Sequence, residues 1–214
     1  MNPVSRRRVI AGTLAGAYGL RTARVSGITA IQSSDTSTPP EACLTIETYP
    51  VLPGEHPHDV APAAFDQRIW YTAQRAGALG LLDPDSGGIE TIPLGAGSAP
   101  HGVIVGEDGA AWVTDGGLNA IVRVDAESFA LTQYPVPGAS ANLNTAVIAP
   151  DGAVWFTGQA GIVGRVDPSR HAPGDPADVI EAPRGRGPYG ITVTPDGDVY
   201  FASLAGSYLG VIQT

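Results

Sequence analysis

One unit returns four times along this chain at nearly constant spacing, and that return restricts the fold more than any bulk property does. Aromatic anchors stand at Trp70, Trp112, Trp155 and Tyr200, 42, 43 and 45 residues apart. Each sits in a short β-type run: Ile69-Trp70-Tyr71-Thr72, Ala111-Trp112-Val113-Thr114, Val154-Trp155-Phe156-Thr157 and Val199-Tyr200-Phe201-Ala202. Asp108-Gly109, Asp151-Gly152 and Asp196-Gly197 precede the last three and supply the positive φ of a tight hairpin. Downstream of the first three anchors lie apolar runs that end in Asp83, Asp125 and Asp167, and Leu209-Gly210-Val211-Ile212 begins a fourth.

Each unit therefore offers four strands. The first follows Pro57-His58, Pro100-His101, Asn144-Thr145 or Pro188-Tyr189, and the second carries the aromatic. The third ends at Asp, and the fourth is a short run such as Ile89 to Leu94 or Phe129 to Val136. Four strands at this period predict an all-β propeller of four-stranded blades. No stretch after the N-terminus keeps the period of about 3.6 that marks an amphipathic helix. A two-sheet sandwich is the alternative, but it would not require the same unit in the same phase four times. Leu44 to Val51 reads as an additional outer strand, and Thr214 falls inside the fourth unit. Sixteen strands result, enough arithmetically for a closed four-bladed ring.

Composition agrees with many short strands and tight turns: 28 Gly and 19 Pro in 214 residues, with charged residues at only 15%. The first 30 residues hold five Arg and no acid, so residues 31–214 carry seven basic and 21 acidic side chains. Such an acidic body excludes nonspecific nucleic-acid binding, which needs basic surface. A single cysteine, Cys43, excludes an internal disulfide and a multi-cysteine zinc site. Ser5-Arg6-Arg7-Arg8 followed by a weakly apolar Gly/Ala run predicts an export signal over 1–30, similar to the twin-arginine type. Residues 31–43 read as a linker and 44–214 as the propeller. The location implied is periplasmic or extracellular. The apolar run is too short for a membrane span.

The stretches Pro100-His101-Gly102-Val103, Trp155-Phe156-Thr157-Gly158, Gly164-Arg165-Val166-Asp167 and Pro188-Tyr189-Gly190-Ile191-Thr192 resemble the streptogramin (virginiamycin B) lyases. That resemblance spans about residues 44 to 214 and implies a seven-bladed parent, of which this chain holds about four blades as an open arc rather than a closed ring. It implies a truncated member, with the blades of the family's site beyond Thr214. It also implies Mg2+ and the opening of a cyclic depsipeptide by elimination, a His taking the proton next to the ester carbonyl. The family's His follows Glu-Pro, whereas Ala99 and His56 replace that Glu before His101 and His58. After the aromatics stand Gln74, Asp115, Gln159 and Ser203, and Asp115 alone is a carboxylate.

His58, His101, Asn144 and Tyr189 share one phase of the repeat, so their loops are expected to ring one end of the central channel. His101 and His58 are the expected general bases, as imidazole titrates near neutral pH. Asp115 is expected to orient a His or hold the cation, and Asn144, Tyr189 and Arg186 to meet the ligand. The alternative is that these groups only hydrogen-bond to loop backbone. Two functions follow: a lyase acting on a small-molecule or cyclic peptide ligand, or a noncatalytic exported propeller that binds a small molecule or a protein. A monomer is expected if the ring is complete.

Overall fold

The computed structural model describes residues 44–213. The expected export signal (1–30) and linker (31–43) lie outside these residues. Fifteen strands and no helix occur among the described residues, all within the unit that begins at Glu47. The first sheet is β1 (Pro57–Pro62), β2 (Ile69–Ala73), β3 (Ala78–Leu82) and β4 (Ile89–Pro93). The second is β5 (Pro100–Val105), β6 (Ala111–Asp115), β7 (Ala120–Val124) and β8 (Leu131–Pro135). The third is β9 (Leu143–Ile148), β10 (Val154–Gly158), β11 (Ile162–Val166) and β12 (Asp178–Glu181). The fourth has three strands, β13 (Pro188–Val193), β14 (Val199–Ser203) and β15 (Tyr208–Ile212). All pairings are antiparallel between sequence neighbours, as hairpin connections of this length require.

The inner strands meet in series, β1 with β5, β5 with β9, and β9 with β13, while β1 and β13 do not pack on each other in this way. Four blades thus stand side by side around an axis as an open arc. Alternation along β2, β6, β10 and β14 sends the anchor toward the following blade and its successor toward the preceding one. Trp70 packs with Val103, Val113 and Val122; Trp112 with Val154 and Phe156; Trp155 with Val199 and Phe201. The three Trp are 1%, 4% and 5% exposed, but Tyr200, in the last described blade, is 40% exposed. Burying an aromatic of this size contributes about 3 kcal/mol, so the anchors hold neighbouring blades together. Gly164 and Gly210 serve the opposite faces: a Cβ there would stand 2.1 Å and 2.3 Å from the Phe156 and Phe201 rings.

The inner strands share one irregularity. Each carries a bulge at its first residues: between Pro57 and Val60, between Pro100 and Gly102, opposite Phe156 to Gly158, and between Pro188 and Ile191. A bulge leaves a residue out of the ladder and re-aims it. The polar groups released here find the threonine two places after each Trp. Thr72 Oγ1 accepts the Asp59 N–H (3.0 Å) and donates to the His101 carbonyl (3.0 Å) of the next blade. Thr114 accepts the Gly102 N–H (2.9 Å) and donates to the Asn144 carbonyl (2.6 Å). Thr157 accepts the Thr145 N–H (3.3 Å) and donates to the Tyr189 carbonyl. All three threonines are fully buried.

Two expectations change. Leu44 to Val51 forms no strand; Tyr49 instead donates its hydroxyl to the Pro84 carbonyl (3.1 Å), and Val51 packs beside Tyr71. Pro50 supplies no ladder N–H, and Tyr49 and Val51 attach the segment to the first blade by a side-chain hydrogen bond and apolar packing instead of a ladder. The first strand of each blade also begins at the Pro-His, Asn or Tyr positions rather than after them, which puts those residues inside the bulge.

Replacing Thr114 by Val keeps shape but strands a buried N–H and a buried carbonyl. Urea unfolding should show Thr114→Val destabilised by about 2–3 kcal/mol, with Thr114→Ser recovering most of the loss.

Candidate functional site

The bulges deliver four side chains to one end of the inner strands. In three of the four blades the residue two places earlier has a left-handed backbone: His56 (φ 50°), Asn142 (φ 53°) and Gly187 (φ 126°). This reversal turns the chain into the strand and fixes where the next side chains emerge. In the second blade Gly102 follows the bulged His101. A Cβ at Gly102 would lie 2.9 Å from the Asn144 carbonyl oxygen and 3.0 Å from Thr114 Oγ1, with Asp59 Oδ2 at 3.4 Å. Only glycine lets three blades converge on this point.

His58 and His101 come together as expected, with ring centroids 3.9 Å apart and planes at 47°. His58 Nδ1–H donates to the His101 carbonyl (3.1 Å), the same oxygen that accepts from Thr72. That bond commits Nδ1 as a donor and leaves His58 Nε2 without a hydrogen-bond partner among the described residues. The His101 ring is half-buried, and Asn144 Nδ2 donates to its Nε2 (3.3 Å). Burial first, and then the adjacent His58, push the His101 pKa below its ordinary 6.5, against smaller pulls from Asn144 and Asp59. His101 is therefore a neutral imidazole at neutral pH.

The other expected residues fall differently. Asn144 is buried, so it supports His101 rather than facing an open channel. The Tyr189 carbonyl is held by Thr157 and its ring is half-exposed, with no hydrogen bond to the other three side chains. Arg186 is exposed in the turn before β13; the arginine that finds a partner there is Arg184, over the Tyr208 ring at 5.2 Å.

Asp115 is buried and far more occupied than its sequence position suggests. Its Oδ1 accepts the N–H groups of Ala99 (2.9 Å), Gly117 (3.0 Å) and Leu118 (2.9 Å), and its Oδ2 accepts the Ser98 hydroxyl. Four donors on one carboxylate tie the loop before β5 to the turn after β6. Asp59 is the carboxylate beside the histidines, and it is not among the expected site residues. Its Oδ2 accepts the Val103 N–H (3.0 Å) across the blade junction and its Oδ1 the Val60 N–H (3.0 Å). Glu55 turns away, accepting from the Tyr71 hydroxyl (2.8 Å).

Mg2+ takes near-octahedral oxygen ligands, mainly carboxylates and water. Among the described residues no three His, Cys, Asp or Glu side chains gather as a metal group, and the two carboxylates nearest the mouth are filled by N–H and O–H donors. The described residues do not fit a magnesium centre.

A family model described as the Virginiamycin B lyase family matches residues 10–214. No curated protein sequence matches the chain. A streptogramin B lyase structure is similar at 22% identity and TM-score 0.67, over 77% of this chain and 53% of that one. Virginiamycin B lyase from Staphylococcus aureus is similar at 19% identity and TM-score 0.62, over 75% and 56%. A catalytically inactive variant of that enzyme with quinupristin matches at 18% and 0.63, over 77% and 58%. At these identities the structures show the fold alone, and the chain spans just over half the length of each.

A neutral His101 binds fewer protons folded than unfolded below its ordinary pKa, so its burial costs stability as pH falls through 6.5. The turn carboxylates with lowered pKa, Asp83, Asp125 and Asp167, start from 3.8 and titrate well below this window. The melting temperature should therefore fall between about pH 7.5 and 5.5, and His101→Asn should flatten part of that fall.

Proposed function

This chain belongs to the virginiamycin B lyase family, and we propose that its channel mouth binds a small cyclic depsipeptide and acts on it as a base. The observation that supports this reading is the histidine pair. In the neutral form of His58 the ring proton lies on Nδ1 against a backbone carbonyl, and Nε2 is the atom that can take a proton. The neighbouring His101 stays neutral, and two imidazoles 3.9 Å apart share at most one proton cheaply. In the reaction that fits, His58 Nε2 takes a proton from carbon next to a carbonyl. The released pair becomes a double bond as the ester carbon–oxygen bond breaks, and the departing oxygen keeps its bonding electrons. A positioned base of this kind contributes roughly 10²- to 10⁴-fold. His101 and Asn144 position the pair. No step runs through magnesium, whose ligands the described residues do not assemble.

The carboxylates favour a second reading, a noncatalytic binder. Asp115 and Asp59 are committed to loop and junction hydrogen bonds, so neither is free to stabilise developing charge. The arginine-rich start and the weakly apolar Gly/Ala run after it support an exported protein in either case; residues 1–43 fused to a reporter should carry it out of the cytoplasm.

Quinupristin, present with the S. aureus variant, is a suitable probe. Elimination consumes no water, so the opened product should have the same mass as the ring, whereas hydrolysis adds the mass of one water. Mass spectrometry should show that isomer with the wild-type chain and lose it with His58→Ala. Saturable binding without conversion would favour the noncatalytic reading, and absence of binding would end both.

A further inference from the structure

The inner strands deliver their first residues to the histidine mouth, and their last residues border a separate cavity at the opposite end. It holds about 670 Å³, within the size of small-ligand sites, and lies beside Val105, Ile148 and Val193, where β5, β9 and β13 end. His101 is four residues back from Val105, about 13 Å along an extended strand. The walls come mostly from the second and third blades, each flanked by a blade on both sides: Trp112 and Arg123 from one, Pro150 and Pro168 from the other. One turn residue decides whether this space is filled. Phe65, five places before Trp70, lays its ring against Gly109 of the next blade, where a Cβ would collide with it. Glu107 holds the same place before Trp112, and there the space beside Ala149 and Gly152 stays open.

Few polar groups line this cavity, and two of them have capacity to spare. Arg123 is its one cation among the described residues, and Asp108 holds it at 2.6 Å with Asp125 at 3.7 Å. The Glu107 carboxylate is exposed and makes no hydrogen bond or ion pair among the described residues. Trp112 is almost wholly buried, its ring taken up by Tyr134 and Arg123. Its indole N–H has no partner among the described residues, and it is not sealed in as those of Trp70 and Trp155 are. Gly106 links the two groups: it precedes Glu107, and a Cβ on it would stand 3.4 Å from Trp112 Nε1. One spare anion and one spare donor thus flank a glycine, in front of rigid apolar walls. We propose that this cavity binds the N-terminal residue of a peptide, an apolar α-amino amide. Its ammonium meets Glu107, its carbonyl accepts from the Trp112 N–H, and its side chain lies against Ile148, Pro150 and Pro168. The ammonium and carbonyl of such a residue are held one carbon apart, as the two protein groups are held by one glycine. A free amino acid fits worse, because its carboxylate would approach Glu107 and Asp108. The site shares no residue with the base at the mouth.

Titrating the 214-residue chain with L-phenylalaninamide at about pH 6.5, where an α-amino group is protonated, tests this. In NMR spectra of the indole N–H groups, the Trp112 signal should shift to saturation while those of Trp70 and Trp155 stay in place. N-acetyl-L-phenylalaninamide lacks the charge and should leave all three unmoved at the same concentrations. Glu107→Gln changes an exposed position, so it should fold as the wild type does and bind the amide about fivefold more weakly. His58→Ala should bind it as the wild type does. A Trp112 signal that does not move with the amide would overturn the proposal. So would equal binding of the acetylated form, or full affinity in Glu107→Gln, because the ammonium would then not be recognised at Glu107. Loss of binding in His58→Ala would put the ligand at the mouth and overturn the proposal as well.

Discussion

A hydroxyl shared between two blades is the contact on which the rest of this structure depends. Each inner strand must start with a bulge if its first residues are to turn toward the axis, and a bulge frees an N–H and a carbonyl in a place water cannot serve. Thr72, Thr114 and Thr157 take the N–H from their own blade and give a proton to the carbonyl of the next. A hydrophobic residue of the same shape would leave both groups unpaired. The aromatic anchors supply most of the apolar attraction between blades, but that attraction is nondirectional. The threonine fixes how one blade sits against the next, and with it the spacing of the residues at the mouth.

The period and phase of the repeat made the architecture legible before any coordinates. Trp, Asp-Gly and the apolar runs ending in Asp each mark one strand or turn, and their order repeats. The turn aspartates behave as that pattern implies: Asp83, Asp125 and Asp167 each bond the hydroxyl of a serine two or three residues later. The meeting of His58 and His101 was legible too, since equivalent positions of adjacent blades must be neighbours around an axis. The Leu44–Val51 segment was not. Its alternation suits a strand, but strands are made by partners, and nothing in a local pattern says whether an unpaired edge lies within reach.

The carboxylates mark the other limit. Asp115 follows a Trp-Val-Thr stretch, and there its residue type allows a metal ligand, a histidine partner or a loop organiser. What separates these roles is the number of donors aimed at it, and those come from Ser98, Ala99, Gly117 and Leu118, on two loops that the repeat does not specify. Asp59 was hidden for the opposite reason. It occupies the phase of Gly102, where the second blade admits no side chain at all, so comparison between repeats gives no hint that a carboxylate belongs there.

That contrast between Asp59 and Gly102 shows how one repeat can carry different chemistry at each blade. The threonine hydroxyls hold backbone groups, so the bulge keeps its shape whichever side chain leaves it: two imidazoles, an amide and a phenol occupy the same phase. Side chains at the mouth can then change without cost to the junctions beneath, while each threonine is bound to two blades at once. Interaction energy in such an arc is therefore concentrated one layer below its chemistry. A residue at the mouth acquires its properties from its neighbours around the axis, as His101 does from His58 on one side and Asn144 on the other.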